Sequence, residues 1–248
     1  MMTPEQRFVF DLQGYLVIPN VLPPERVARM SADMEEHRVG EDANGWSKSR
    51  FHSFLSWGEE WRNLIDEPQI LPILGELLSP KFRLDHAYGM AMRVEDETED
   101  EGLHHAAGGF FHGCYYVTHG TTMHNGLVVV SYALTDIEPG MGGFACIPGS
   151  HKALYPVPAE WFGLENNPLV RQVPQRAGDV LIFTEALTHG TMPWRDPNSE
   201  RRSVLMKYCP HYMQWTQHGI REMPEGLTER QKLILDRPYV WQRPPIES

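Results

Sequence analysis

Asn125-Gly-Leu-Val-Val-Val-Ser-Tyr-Ala-Leu-Thr-Asp136 is the strongest strand signal in the chain. Its three successive valines are β-branched and stiff, and suit a pleated surface better than a helix. Downstream, Pro139-Gly-Met-Gly-Gly143 reads as a turn and Phe144 to Ile147 as a returning strand, ended by Pro148-Gly-Ser-His-Lys152. Gly178-Asp179 marks a turn before the strand Val180 to Thr184, and Arg201 to Tyr208 supplies another. Upstream, Phe82 to Arg93 alternates so that Leu84, His86, Tyr88, Met90 and Met92 share one face.

The remaining segments read as helices, loops and one short strand. Thr3-Pro4-Glu5-Gln6 is a capping box opening a helix expected to carry Phe8 and Leu12 inward. Gly14 to Pro19 follows as a strand. Pro23-Pro24-Glu25 then starts a helix with Val27, Met30 and Met34 at helical spacing. Asp42 to Trp61 reads as a packed surface loop, and Glu67 to Leu78 as a helix stopped by Ser79-Pro80. Thr228-Glu-Arg-Gln231 is a second capping box before Leu233, Ile234 and Leu235, heading a helix that either covers the site or serves an oligomer contact. Regular strands with Gly/Pro turns, preceded by helices, predict a mainly β fold: a jelly-roll core of cupin type with flanking helices, one domain over 1–248.

The 248 residues carry a formal net charge of -11. That balance argues against nucleic-acid polymers and anionic membranes, which call for a basic face. Cys114, Cys146 and Cys209 are scattered without a CxxC pair, so neither a disulfide framework nor a thiolate metal site is expected. The N-terminus lacks a cationic segment followed by an apolar core, and no window reaches the roughly 18 apolar residues of a membrane span. A soluble, cytoplasmic protein is the expectation. Glu95 to Glu101 is almost entirely acidic, and self-repulsion makes it a solvated loop rather than a cation site.

Two histidines stand out among the twelve. His104 lies in Gly102-Leu-His-His-Ala-Ala-Gly-Gly109 and His189 in Leu187-Thr-His-Gly-Thr191, each beside a strand-like segment. If folding joins them they make a metal site the first hypothesis, since imidazole suits iron, zinc, copper and nickel. His86, His151 and His211 read as structural, and His119 and His124 flank a loop on the expected pocket side, with a structural and a functional role both open for them.

Taken together, the motifs resemble the phytanoyl-CoA dioxygenase family of Fe(II)- and 2-oxoglutarate-dependent enzymes. The resemblance runs from the opening at Phe10 to Leu22 to about Pro210. It is carried by Gly142-Gly-Phe-Ala-Cys-Ile-Pro-Gly-Ser-His-Lys152, Gly178-Asp-Val-Leu-Ile-Phe183, His189-Gly-Thr191 and Arg201-Arg202. It implies a double-stranded β-helix, metal ligation by His104 and His189, and O₂ as cosubstrate. It also implies pairing of Arg201 with the distal carboxylate of 2-oxoglutarate, helped by Thr191 and, more weakly, Ser131. Alternation along a strand turns Arg202 away when Arg201 points inward.

The family's metal-binding carboxylate stands two residues after the first histidine, where this chain has Ala106. The departure resembles Fe(II)/2-oxoglutarate halogenases, in which a small residue leaves an open position for chloride. The leading expectation is therefore chlorination of an unactivated aliphatic C–H of a small molecule, with a phosphorylated nucleoside as leading substrate. A hydroxylase drawing its third ligand from Glu101, His105 or His112 is the alternative, and a non-catalytic binding relative the third. The pocket is expected between Asn44 to Trp57, Gly108 to His124 and the tail after Pro210. Lys48, Arg50, Arg93 and Arg195 are its candidate anion-binding residues, and Trp46, Phe110, Tyr115 and Tyr116 its stacking residues.

Overall fold

A strand whose valines point to both sides must be covered on both sides, and the computed structural model covers it so. Residues 1–38, 50–94, 102–104, 113–165, 167–217, 219–220 and 223–247 are described. The helices are α1 (Pro4–Gln13), α2 (Pro24–Arg38), α3 (Glu59–Arg62), α4 (Leu71–Leu77) and α5 (Glu229–Leu235). The strands begin with β1 (Tyr15–Ile18), β2 (Arg50–Phe51), β3 (Phe82–Met92), β4 (Tyr116–His119), β5 (Thr122–Asn125) and β6 (Val128–Ala133). They continue with β7 (Gly143–Cys146), β8 (Arg171–Gln172), β9 (Val180–Thr184), β10 (His189–Met192) and β11 (Arg201–Pro210).

The large sheet has the order β1-β9-β6-β11-β3-β2 and the small one β10-β7-β8; β4 and β5 form a separate hairpin. All the pairings are antiparallel. The two sheets face each other across an inner core of Met90, Met92, Val129, Phe144, Leu181, Phe183 and Leu205. This is the expected jelly roll. The opposite face of the large sheet, with Val130, Tyr132, Ile182, Val204 and Met206, packs against Phe10, Met30, Met34, Trp61 and Leu74 of the helical layer. Each layer hides the apolar face of the other, which neither could do alone. No helix among the described residues is long and apolar enough to cross a membrane.

Several local expectations are corrected. Helix α1 has its capping box, with the Thr3 hydroxyl accepting from the Gln6 amide at 3.2 Å. However, Phe8 and Leu12 are exposed at 66% and 57%, while Phe10 is fully buried. Residues i and i+4 share a helix face and i+2 lies opposite, so only one set can face the sheet. Gly14 fixes which: φ is 84°, and a Cβ there would stand 2.6 Å from His151 Nδ1, so the helix is held close against its neighbours.

Leu84 does not share the face of Tyr88, Met90 and Met92. The register steps from Lys207↔His86 to Tyr208↔Leu84, leaving Asp85 as an extra residue. That bulge inverts the alternation, so Leu84 joins the outer core. The buried Asp85 accepts from the Trp215 amide at 2.8 Å and the Thr216 hydroxyl at 3.0 Å, pinning the tail after Pro210. Burial alone would raise its pKa, but hydrogen bonds from His86, Trp215 and Thr216 outweigh it and hold the carboxyl low.

The segment expected as a surface loop is built into the core from Arg50 onward. Phe51, Phe54 and Trp61 are fully buried, and Phe51 stacks on Trp57 at 5.2 Å. A side chain at Gly89 would collide with the Phe51 ring, so β2 lies tight on β3 there. Helix α5 forms behind its capping box but does not cover the inner core: Ile234 joins the outer core, and the Gln231 side-chain Nε2 donates to Asp66 at 2.8 Å.

Candidate functional site

The two histidines meet. His104 and His189 form an isolated antiparallel bridge, with amide-to-carbonyl distances of 2.8 and 3.2 Å, and their ring centroids lie 4.2 Å apart. His189 is 4% exposed and packs against Phe183 at 4.7 Å and Phe144 at 5.6 Å. Its Nδ1 sits 2.6 Å from the Leu187 carbonyl. A carbonyl only accepts, so Nδ1 carries the proton and Nε2 keeps its lone pair. Burial pushes the imidazole pKa down to about 3, with His104 adding to the effect and Glu185 opposing it. His189 is therefore neutral near pH 7, the form in which imidazole binds a metal.

Thr191 follows on the same face of β10, opposite Phe144 on β7. Arg201 begins β11 with its side chain turned inward and 3% exposed. A Cβ on Gly143 would lie 3.3 Å from Arg201 Nε, so the glycine at the start of β7 leaves room for the guanidinium. Nη1 lies 3.3 Å from the Met92 sulfur, whereas Nε has no hydrogen-bond partner among the described residues. Burial lowers the Arg201 pKa to about 10, which leaves it charged. A buried cation with an unmet donor is costly, and a carboxylate ligand would relieve it. Arg202 points the other way, its Nε donating to Glu200 at 2.9 Å and its far end to Glu35 on α2.

Ser131 faces the interior but is opposite Leu205, four residues along β11 from Arg201 and so roughly 13 Å from its level. Thr191 is one residue before Met192, which pairs with Gly143 beside the Arg201 guanidinium, whereas Ser131 lies nearer the other end of the strand. Ala106 lies outside the described residues, as do Glu101, His105, His112, Trp46, Lys48, Phe110 and the acidic run.

At the other end stands a pair that sequence reasoning missed. Glu185 is 1% exposed, with Oε1 2.5 Å from Lys207 Nζ and Oε2 3.9 Å from His189 Nε2. Burial works to lower the Lys207 pKa, but the negative charge of Glu185 outweighs it and raises it, so the lysine remains ionised. Signals for both were available: Glu185 lies four residues before His189, and Lys207 falls on the same strand phase as Arg201. Among the described residues, no three His, Cys, Asp or Glu side chains form a ready-made metal cluster.

The expected pocket residues divide. Arg93 pairs with Glu200 at 3.2 Å and Arg195 with Glu165, so neither stands as an open anion receptor. Tyr116 donates to Asp11 at 2.5 Å and packs on His151, turning its hydroxyl toward α1 and away from the site. Arg50 does lie over Tyr88, 5.3 Å from the ring centroid, with Lys207 at 5.8 Å. Tyr115 meets Tyr212 of the tail, hydroxyl to hydroxyl at 3.0 Å. His119 and His124 are exposed on the β4–β5 hairpin. His86, His151 and His211 are structural, meeting Asp85 at 2.7 Å, the Asp11 carbonyl at 3.1 Å and the Lys81 carbonyl at 2.7 Å. The three cysteines are buried and free.

The family model described as phytanoyl-CoA dioxygenase matches residues 10–203. No curated protein matches the sequence. HygX from Streptomyces hygroscopicus, solved with nickel, 2-oxoglutarate and hygromycin B, is 24% identical over 90% of this chain and 96% of its own, with a TM-score of 0.75. The non-heme alpha ketoglutarate dependent epimerase SnoN from nogalamycin biosynthesis is 20% identical over 98% of this chain and 97% of its own, with a TM-score of 0.62. The carbocyclase SnoK from the same biosynthesis is 21% identical over 92% and 94%, with a TM-score of 0.63. These likenesses show the fold.

Proposed function

We propose, because the chain belongs to the phytanoyl-CoA dioxygenase family, that it uses Fe(II), 2-oxoglutarate and O₂ to oxidise an aliphatic C–H bond of a small molecule. The observation that carries this reading is the buried Arg201 guanidinium with its unmet Nε, on the strand interior that also receives His189. His104 and His189 would hold the iron, His189 through the Nε2 that its Leu187 contact leaves unprotonated. Arg201 would take the distal carboxylate of 2-oxoglutarate, with Thr191 beside it. Iron with 2-oxoglutarate and O₂ supplies the oxidising power for the C–H bond. The Phe144 and Phe183 rings around His189 exclude water from that side.

Oxygen insertion is the outcome favoured by Glu185, a buried carboxylate within 3.9 Å of His189 Nε2. Chlorination is the second reading, favoured by Ala106 at the position where relatives carry their acidic ligand. A small polar molecule fits the site better than a phosphorylated nucleoside, because Arg93 and Arg195 are already engaged by carboxylates. HygX, solved with hygromycin B, and SnoN, solved with nogalamycin RO, support a small molecule as the substrate class.

The test is anaerobic loading with Fe(II), 2-oxoglutarate and chloride, then exposure to O₂ with a pool of small metabolites and mass spectrometry. Conversion of 2-oxoglutarate to succinate with a product heavier by one oxygen, unchanged without chloride, is expected. A product with the halogen isotope pattern would establish the second reading instead. No 2-oxoglutarate turnover with any metabolite pool would contradict both.

A further inference from the structure

We propose that the Tyr88 hydroxyl binds the 2-oxo-acid end of 2-oxoglutarate, donating to the carboxylate beside the keto group while Arg201 takes the distal one. The inference rests on the cosubstrate reading above and adds to it a residue of β3. Strand register places that residue. Along β11, Arg201 pairs with Met92 of β3, while Leu205 pairs with Tyr88 on one side and with Ser131 on the other. Lys207 follows at the next inward position, and its partner Glu185 lies within 3.9 Å of His189 Nε2. Tyr88 therefore stands between the level of Arg201 and that of His189, on the path a cosubstrate spans from its guanidinium clamp to the histidine pair.

The ring is held from several sides. It packs on the inner core between the sheets. Arg50 pairs with Met90, two residues along the same face of β3, and brings its guanidinium to 5.3 Å from the Tyr88 centroid. The Lys207 ammonium lies 5.8 Å from that centroid, and the His86 ring stacks at 6.3 Å. Both cations fall within the roughly 6 Å at which an aromatic face attracts positive charge. A ring fixed in this way also fixes the direction of its C–O bond. Tyr88 raises the pKa of Arg201 and of Lys207 alike, so its oxygen is within electrostatic reach of both. Yet the hydroxyl makes no hydrogen bond to any described residue, and the side chain is only partly buried. A positioned donor between two cations, open on one side, suits an anion. A phenol that donates to a carboxylate makes a charge-assisted hydrogen bond, about twice as strong as a neutral one.

The test is anaerobic calorimetric titration of 2-oxoglutarate into the Fe(II)-loaded protein, beside the visible absorption of the resulting complex. Tyr88→Phe keeps the ring and its cation contacts and removes only the oxygen, so its melting temperature should not fall. Its affinity for 2-oxoglutarate should weaken by about 10-fold or more, the loss of one hydrogen bond to a charged group. The absorption band should shift as well, because the lost donor sits on the end of the cosubstrate that meets the metal. An affinity within about twofold of wild type would overturn the Tyr88 assignment while leaving the cosubstrate reading standing. A weakened affinity with an unshifted band would also overturn it, by placing the effect away from the 2-oxo-acid end. Failure of wild type itself to bind 2-oxoglutarate would overturn the cosubstrate reading and the Tyr88 assignment with it.

Discussion

Arg201 and Glu185 are both buried charges, yet they differ in what surrounds them. Glu185 has Lys207, whereas Arg201 has a thioether and an Nε with no partner among the described residues. Removing one partner of a satisfied pair is destabilising, but removing an unsatisfied charge relieves a cost. Arg201→Met should therefore leave the melting temperature unchanged or raise it. The same change should raise the KM for 2-oxoglutarate by about 10- to 150-fold, the equivalent of a charge-assisted hydrogen bond of about 1.5–3 kcal/mol. Steady-state kinetics beside thermal melting checks both signs, and an unchanged KM would remove Arg201 from the cosubstrate site. Strand alternation allowed only one of Arg201 and Arg202 to face inward, and the family resemblance selected Arg201. Glu185 and Lys207 were harder, since their sequence positions, 22 apart, do not reveal that the β9 and β11 ends converge.

At the scale of elements, local signals that depend only on neighbouring residues were legible. Thr3 and Thr228 both form the capping boxes their sequences spell out. Which helix face is buried was not legible, because α1 carries apolar residues at 8, 9, 10 and 12 and the sheet decides among them. Phe10→Ala should cost about 3–5 kcal/mol, while Phe8→Ala should stay within about 0.5 kcal/mol. Denaturant unfolding of the two variants checks this, and comparable losses would mean that α1 is rotated from the orientation described. The Asp85 bulge escaped for a related reason. A bulge is defined by its partner strand, and the alternation of Leu84, His86 and Tyr88 looks unbroken when β3 is read without β11.

For the whole molecule, regularly spaced strands and Gly/Pro turns made the jelly roll legible, because apolar strands of this length must pair and be covered. The helical layer on one sheet and the inner core between the sheets follow from β6, whose alternate residues serve each. What the strand pattern could not specify is the content of the interior, where polar groups from β6, β10 and β11 meet the turn after β9. The central claim is that this interior gathers His104, His189 and Arg201 into one place for a metal and a dicarboxylate. Its most direct test is anaerobic titration of 2-oxoglutarate into the protein with and without Fe(II). One molecule bound per chain only when the metal is present, and lost in His189→Ala, is the predicted result; binding that ignores both the metal and His189, or no binding at all, would contradict it.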